Sequence, residues 1–146
     1  MIPESLLTLI RKFEGLRLKV YRCPAGVPTI GYGHTGKEVH MAMAPITKEV
    51  AEAMLQQDAA VFVMAASVQS PVLWFDEAKQ AAIADFCFNL GMTRYKASTL
   101  KRKVNAGDWE GAQEELQKWV WGGGKKLPGL VLRRQAEARL IKESLK

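Results

Sequence analysis

The hydrophobic rhythm of the chain changes twice. After Pro3, which suits a first helical turn, Leu6, Leu9, Ile10 and Phe13 recur at helical spacing until Gly15 ends the run. Residues 16–21 then alternate, Leu16, Leu18 and Val20 against Arg17, Lys19 and Tyr21, which is the period of a half-buried strand. Cys23-Pro24-Ala25-Gly26 supplies turn chemistry and Thr29-Ile30-Gly31-Tyr32 a returning strand, so residues 16–34 read as a small β-meander. Helical periodicity resumes at Thr47, an N-cap for a helix to about Val68 with Val50, Met54, Val61 and Phe62 on its apolar stripe.

Asp76 caps a further helix, Glu77 to Leu90, that Gly91 stops. It is apolar nearly all round through Ala81-Ala82-Ile83 and Phe86-Cys87-Phe88, as expected of a central core helix. Ser98 and Asp108 open two shorter helices that end near Gly107 and Trp121. Residues 122–129, rich in glycine, read as a flexible loop before a basic helix from about Leu130 to Leu145. The pattern predicts one α+β domain, mostly helical, with a β-lobe over about 15–46 and a helical lobe over 1–14 and about 47–146.

At 146 residues, such a domain buries enough surface to need no metal or disulfide staple. The two cysteines, Cys23 and Cys87, are expected as free thiols. The stretch from Ala59 to Val68 is too short to span a bilayer, and Met1-Ile2-Pro3-Glu4 lacks the basic, apolar opening of a signal peptide. The net charge of +6 is uneven: residues 118–146 carry eight bases and two acids, residues 38–91 two bases and seven acids. A basic C-terminal helix favours a polyanion, whether nucleic acid, anionic lipid or an acidic wall polymer.

Gly31-x-Gly33-x-x-Gly36 matches a dinucleotide fingerprint as a string, but no helix begins at the motif. His34, His40 and Cys23 lack a convincing ligand spacing, so no metal is expected. Glu14 is a better candidate for chemistry. It is the only acid between Ser5 and Thr35, placed where the first helix meets the β-meander, and lobe junctions form clefts in which a carboxyl can act as general acid.

The run Phe13-Glu14-Gly15-x-Arg17-Leu18-x-x-Tyr21-x-Cys23-Pro24-Ala25-Gly26-Val27-x-Thr29-Ile30-Gly31-Tyr32-Gly33-His34-Thr35 is similar to the catalytic segment of phage lysozymes in glycoside hydrolase family 24. The likeness continues in Phe86-Cys87-Phe88-Asn89-Leu90-Gly91, in Ser98-Thr99-Leu100, and from Gly122 to Leu130 with Arg133-Arg134-x-x-Glu137. It covers nearly the whole chain in order. The resemblance implies a lysozyme-like fold, a small β-lobe and a helical lobe around one long core helix. It also implies cleavage of the β-1,4 bond between N-acetylmuramic acid and N-acetylglucosamine in bacterial peptidoglycan.

The family pattern of Glu, eight residues, Asp or Cys, five residues, Thr falls on Glu14, Cys23 and Thr29. By that resemblance Glu14 protonates the glycosidic oxygen, Thr29 orients a water and Cys23 assists from the opposite face. Cys23 replaces the commoner aspartate, either as a thiolate nucleophile or as a water holder, and the stereochemical outcome stays open. Tyr32 and Asn89 are candidates for the sugar cleft, while Arg133 and Arg134 fit either scaffold or binding. His34 and Asp58 are expected to pair, which would raise the histidine pKa and lower that of the acid.

The expected partner is peptidoglycan, with an anionic membrane surface as a candidate for the basic C-terminal helix; no cofactor or nucleic acid is expected, and the chain should be a monomer. The resemblance further implies that the enzyme waits in the host cytoplasm for a holin and then acts on the periplasmic cell wall. Two other readings fit the residues. A lytic transglycosylase also works with one glutamate and yields an anhydro product, and a cationic wall- or membrane-binding antimicrobial would kill without catalysis.

Overall fold

In the computed structural model, which describes residues 2–146, α1 spans Glu4–Glu14 and buries Leu6, Leu7, Leu9 and Ile10. Glu4 in its first turn and Arg11 and Lys12 in its last complement the helix dipole. Gly15, at φ 71°, turns the chain out of the helix into β1 (Arg17–Arg22), which pairs antiparallel with β2 (Pro28–Gly31). The register shifts between Arg17↔Gly31 and Tyr21↔Thr29, so a bulge bends the ribbon. The alternation in β1 does not become a buried face: Leu16 and Leu18 are 36% and 41% exposed. A two-stranded ribbon with no layer stacked on its outer side has nowhere to bury them.

Helix α2 (Lys48–Gln69) is capped as expected, Thr47 accepting from the Val50 N–H at 3.2 Å. Its buried face is only partly the expected one, with Phe62 half-buried against the core and edge-on to Phe88. Ala51, Leu55, Ala59, Val63 and Ala66 point inward, while Val50 and Val61 stand in solvent. Alanines spaced by four or more residues let the helix backbone approach its neighbours closely, and that geometry overrides the larger side chains as a guide to the inner face. A short 3₁₀ turn (Pro71–Phe75) then leads into α3 (Glu77–Leu90), capped by the Asp76 carboxylate on Lys79 N–H and closed by Gly91.

Every residue of α3 from Gln80 to Cys87 is buried. One side carries Ala82, Ile83, Phe86 and Cys87 into a core with Leu73, Tyr95, Leu100, Val104, Leu116 and Ile141. Ala81 and Ala84 join a second core with Leu6, Leu7, Ile10, Tyr32, Leu55 and Val63. This helix therefore links the two halves of the interior, and a side chain on it can reach between them.

Beyond it come α4 (Met92–Lys96), α5 (Thr99–Asn105) and α6 (Trp109–Leu116), the last two capped by Ser98 and Asp108. The expected loop over 122–129 contains a small hairpin, β3 (Trp121–Gly122) with β4 (Lys125–Lys126). Gly123 and Gly124 connect its strands at φ 57° and 79°, the two left-handed positions a tight hairpin turn requires. Helix α7 (Pro128–Ser144) starts with Pro128 in its first turn and packs along α3.

Candidate active site

Glu14 is the last residue of α1, so its side chain leaves the helical half and faces the β-ribbon. A cleft of about 370 Å³ opens there, lined by Glu14, Tyr21, Cys23, Thr29, Thr35 and Asn89 among others. A larger depression of about 480 Å³ beside Glu110, Glu114 and Lys142 lies away from these residues.

The two oxygens of Glu14 have different surroundings. Oε2 accepts a hydrogen bond from Arg133 Nη1 at 2.6 Å. Oε1 lies over Gly33, where an added Cβ would be only 2.6 Å away. Gly33 also holds φ 72°, so both the backbone and the close approach of the carboxyl call for glycine.

Across the cleft, Cys23 begins the turn between β1 and β2, closed by Gly26 N–H donating to the Cys23 carbonyl at 2.7 Å. Its thiol is held below the ordinary cysteine pKa. The main cause is hydrogen bonding from the Val27 backbone, which outweighs burial, with Ala25 and the Thr29 hydroxyl adding to it. Thr29 is almost wholly buried, and its hydroxyl donates to the Val27 carbonyl at 2.9 Å. The other thiol, Cys87, lies inside α3, where burial pushes it far above the usual range, with Glu137 and Asp85 adding to the effect. Both cysteines are free.

Of the two sugar-cleft candidates, Asn89 lines the cleft and its Oδ1 accepts from Arg134 Nη2 at 2.8 Å. Tyr32 does not belong there. It is 7% exposed, packs in the core of α1 and α2, and donates its hydroxyl to Glu52 Oε1 at 3.1 Å. The backbone turns at Gly31 and Gly33, so Tyr32 and Gly33 face opposite ways and only the glycine meets the cleft.

His34 Nδ1 lies 2.8 Å from Asp58 Oδ2, and its Nε2 lies 2.6 Å from Glu38 Oε1, a second partner not anticipated from the sequence. Burial works against the charged imidazole, but the hydrogen bonds to Glu38 and Asp58 outweigh it and raise the histidine pKa. The expected lowering at Asp58 is corrected: its pKa is raised, because burial of the carboxyl exceeds the pull of His34. Glu38, outside on the same imidazole, is the acid whose pKa falls, chiefly through its hydrogen bond to His34.

The group behind Glu14 was not anticipated from the sequence. Arg133 spans the interior, donating from Nε and Nη2 to both oxygens of Asp85 at 2.9 and 2.8 Å as well as to Glu14. Beside it Arg134 Nη2 donates to Glu137 Oε2 at 2.9 Å, while Arg134 Nε and Glu137 Oε1 are 2.8 Å apart but poorly aligned for a hydrogen bond. Asp85 was legible in principle as the one charged residue in an otherwise apolar helical run, Ala81 to Phe88. Because Arg133 and Arg134 are buried, the basic surface of α7 is smaller than its composition implies. Among the described residues, no group of three or more His, Cys, Asp or Glu side chains could hold a metal ion.

The phage lysozyme family model matches residues 11–137. An endolysin of Acyrthosiphon pisum secondary endosymbiont phage 1 is 43% identical over 147 residues, covering 98% of this chain and 99% of that protein. Among solved structures, an endolysin from Escherichia coli O157:H7 phage FAHEc1 aligns with a TM-score of 0.82 at 34% identity over 99% of this chain and 94% of that one. The muramidase domain of SpmX from Asticaccaulis excentricus aligns with a TM-score of 0.80 at 31% identity, covering 97% of both chains. The chain belongs to the phage lysozyme family. It is a glycoside hydrolase of the lysozyme type, a peptidoglycan-degrading endolysin.

Proposed function

We propose that Glu14 is the general acid that cleaves the β-1,4 bond between N-acetylmuramic acid and N-acetylglucosamine, with Thr29 and Cys23 serving the attack on the sugar. The observation that carries this reading is the asymmetry of the Glu14 carboxyl. Oε2 is tied to Arg133 at 2.6 Å while Oε1 lies against the glycine wall of the cleft. A protonated Oε1 can then be presented to the glycosidic oxygen while the hydrogen bond from Arg133 to Oε2 holds the side chain still.

As the bond to the leaving sugar breaks, positive charge grows at the anomeric carbon and the proton passes from Glu14 to the departing oxygen. The Thr29 hydroxyl, anchored on Val27, keeps its lone pairs for the proton of an incoming water. The Cys23 thiol, whose pKa is lowered by hydrogen bonding from the Val27 backbone, stands on the same side. Water addition completes a hydrolysis, whether the thiolate attacks first or only steadies the water. Phe88 and Asn89 on the facing edge of α3 offer an apolar surface and an amide to the sugars.

The chain would work as a monomer on the wall. No helix among the described residues is long and apolar enough to cross a membrane. Storage in the host cytoplasm until a holin opens the membrane fits this reading, and contact with anionic lipid would fall to the exposed Arg139, Lys142 and Lys146 of the C-terminal segment. Digesting purified peptidoglycan in oxygen-18 water tests the reaction type. Hydrolysis places one solvent oxygen in each new reducing end, whereas anhydro ends carrying no label would establish a transglycosylase instead.

A further inference from the structure

Asp85 never meets the cleft. It is fully buried in the middle of α3, and Arg133 grips both of its oxygens. A guanidinium held at two nitrogens has its plane and direction fixed. The third nitrogen, Nη1, is thereby aimed at Glu14 Oε2, while the Phe13 ring lies 5.6 Å from the guanidinium carbon. Three elements distant in sequence, α1, α3 and α7, are tied together at one cation.

We propose that Asp85 is a positioning residue for the lysozyme reaction, holding Arg133 so that it orients Glu14 and sharing the arginine's charge so that it does not fall on the Glu14 carboxyl alone. The inference rests on the reading of Glu14 as the general acid. A general acid must keep its proton until the sugar is bound, and an arginine with no other counter-ion favours the carboxylate. Asp85 divides that attraction.

The neighbouring groups are consistent with such a balance. From α7, Arg134 and Glu137 face Asp85; from α3 comes Cys87; from β1, Tyr21 faces Glu14. Burial pushes Glu137 well above the ordinary carboxylate range, and its hydrogen bond to Asp85 adds to this, so Glu137 carries the proton between the two acids. Asp85 stays ionised despite its burial because Arg133 and then Glu137 outweigh it. Arg133 and Arg134 then face one fixed anion, Asp85, beside the Glu14 carboxyl, with the proton of the buried acid pair on Glu137. Were Asp85 to lose its charge, Glu137 could ionise, but its contacts are with Arg134 rather than Arg133.

The test is a cycle of Asp85→Asn, Arg133→Met and the double variant, with full pH–activity profiles on purified peptidoglycan. Asp85→Asn should lower kcat by about 10- to 100-fold and move the alkaline limb to lower pH by about one unit, with KM little changed. In the Arg133→Met background the same substitution should leave the alkaline limb in place, since the arginine through which Asp85 acts is gone. A folded Asp85→Asn protein with the parental limb overturns the proposal, and so does a shift that persists without Arg133. If Asp85→Asn does not fold, Asp85→Ser takes its place in the cycle under the same two criteria: a shifted limb that Arg133→Met abolishes supports the proposal, and a parental limb or a shift that persists without Arg133 overturns it. Glu14→Gln, run alongside, tests the underlying reading separately. If it stays active, the assignment of Glu14 fails whatever the cycle shows; if it is inactive while the cycle shows no coupling, only the role of Asp85 fails.

Discussion

Gly33→Ala perturbs the site through one methyl group. The new Cβ would lie 2.6 Å from Glu14 Oε1, 2.9 Å from its Cδ and 3.0 Å from its Cγ. Regaining the 3.4 Å of ordinary contact moves the carboxyl oxygen by about 0.8 Å. An unrestrained glutamate would swing away at little cost, but the Arg133 bond at 2.6 Å holds the other oxygen, so the carboxyl must tilt or the ion pair must stretch. A displacement of this size at a proton donor costs about 100-fold in rate, or about 2.7 kcal/mol of transition-state stabilisation. The left-handed backbone at φ 72° adds a stability loss of about 1–2 kcal/mol, small enough to leave the domain folded. The assay pairs thermal unfolding with kcat on purified peptidoglycan. A folded Gly33→Ala protein with kcat within about twofold of the parent would refute the argument that this wall sets the Glu14 carboxyl.

Iodoacetamide should modify Cys23 far faster than the buried Cys87 and abolish hydrolysis with the fold intact, as mass mapping and residual activity would show; Cys23→Asp should remain active. His34→Asn should cost more stability near about pH 5.5 than near about pH 9. The raised histidine pKa means its contribution is full below the unfolded value of about 6.5 and is lost as pH rises through the folded value, so equal losses in denaturant titrations at both pH values would reduce His34 to a packing residue. Phe86→Ala should destabilise by about 3–5 kcal/mol, because the ring is fully buried and packs edge-on against both Tyr95 and Trp119; a loss under about 1 kcal/mol would show that the core refills the space.

Signals that act within a few residues were readable from the chain. Asp76 and Gly91 bound α3 where expected because an N-cap carboxylate and a C-terminal glycine work through backbone groups three or four positions away. The face of α2 was only partly readable: Phe62 packs on the core, but alanines suited to close approach carry a weaker hydrophobic signal than the exposed Val50 and Val61. Glu14, Cys23, Thr29 and Asn89 come together on one cleft, whereas Tyr32 turns inward at a pair of glycines whose geometry a pattern of residue types does not encode. The hidden half of the site depends on long-range pairing: Arg133 meets Asp85 and Glu14 across separations of 48 and 119 residues. Only the fold reveals such partners.

The most direct measurement is the turnover of Glu14→Gln on purified peptidoglycan, read as new reducing ends per enzyme, with circular dichroism confirming the fold. Glutamine preserves the size of the side chain and a contact to Arg133 but has no acidic proton to donate. A general acid at this position predicts a loss of at least about 100-fold with the unfolding temperature near that of the parent. Turnover at the parental rate in the folded variant would contradict the account.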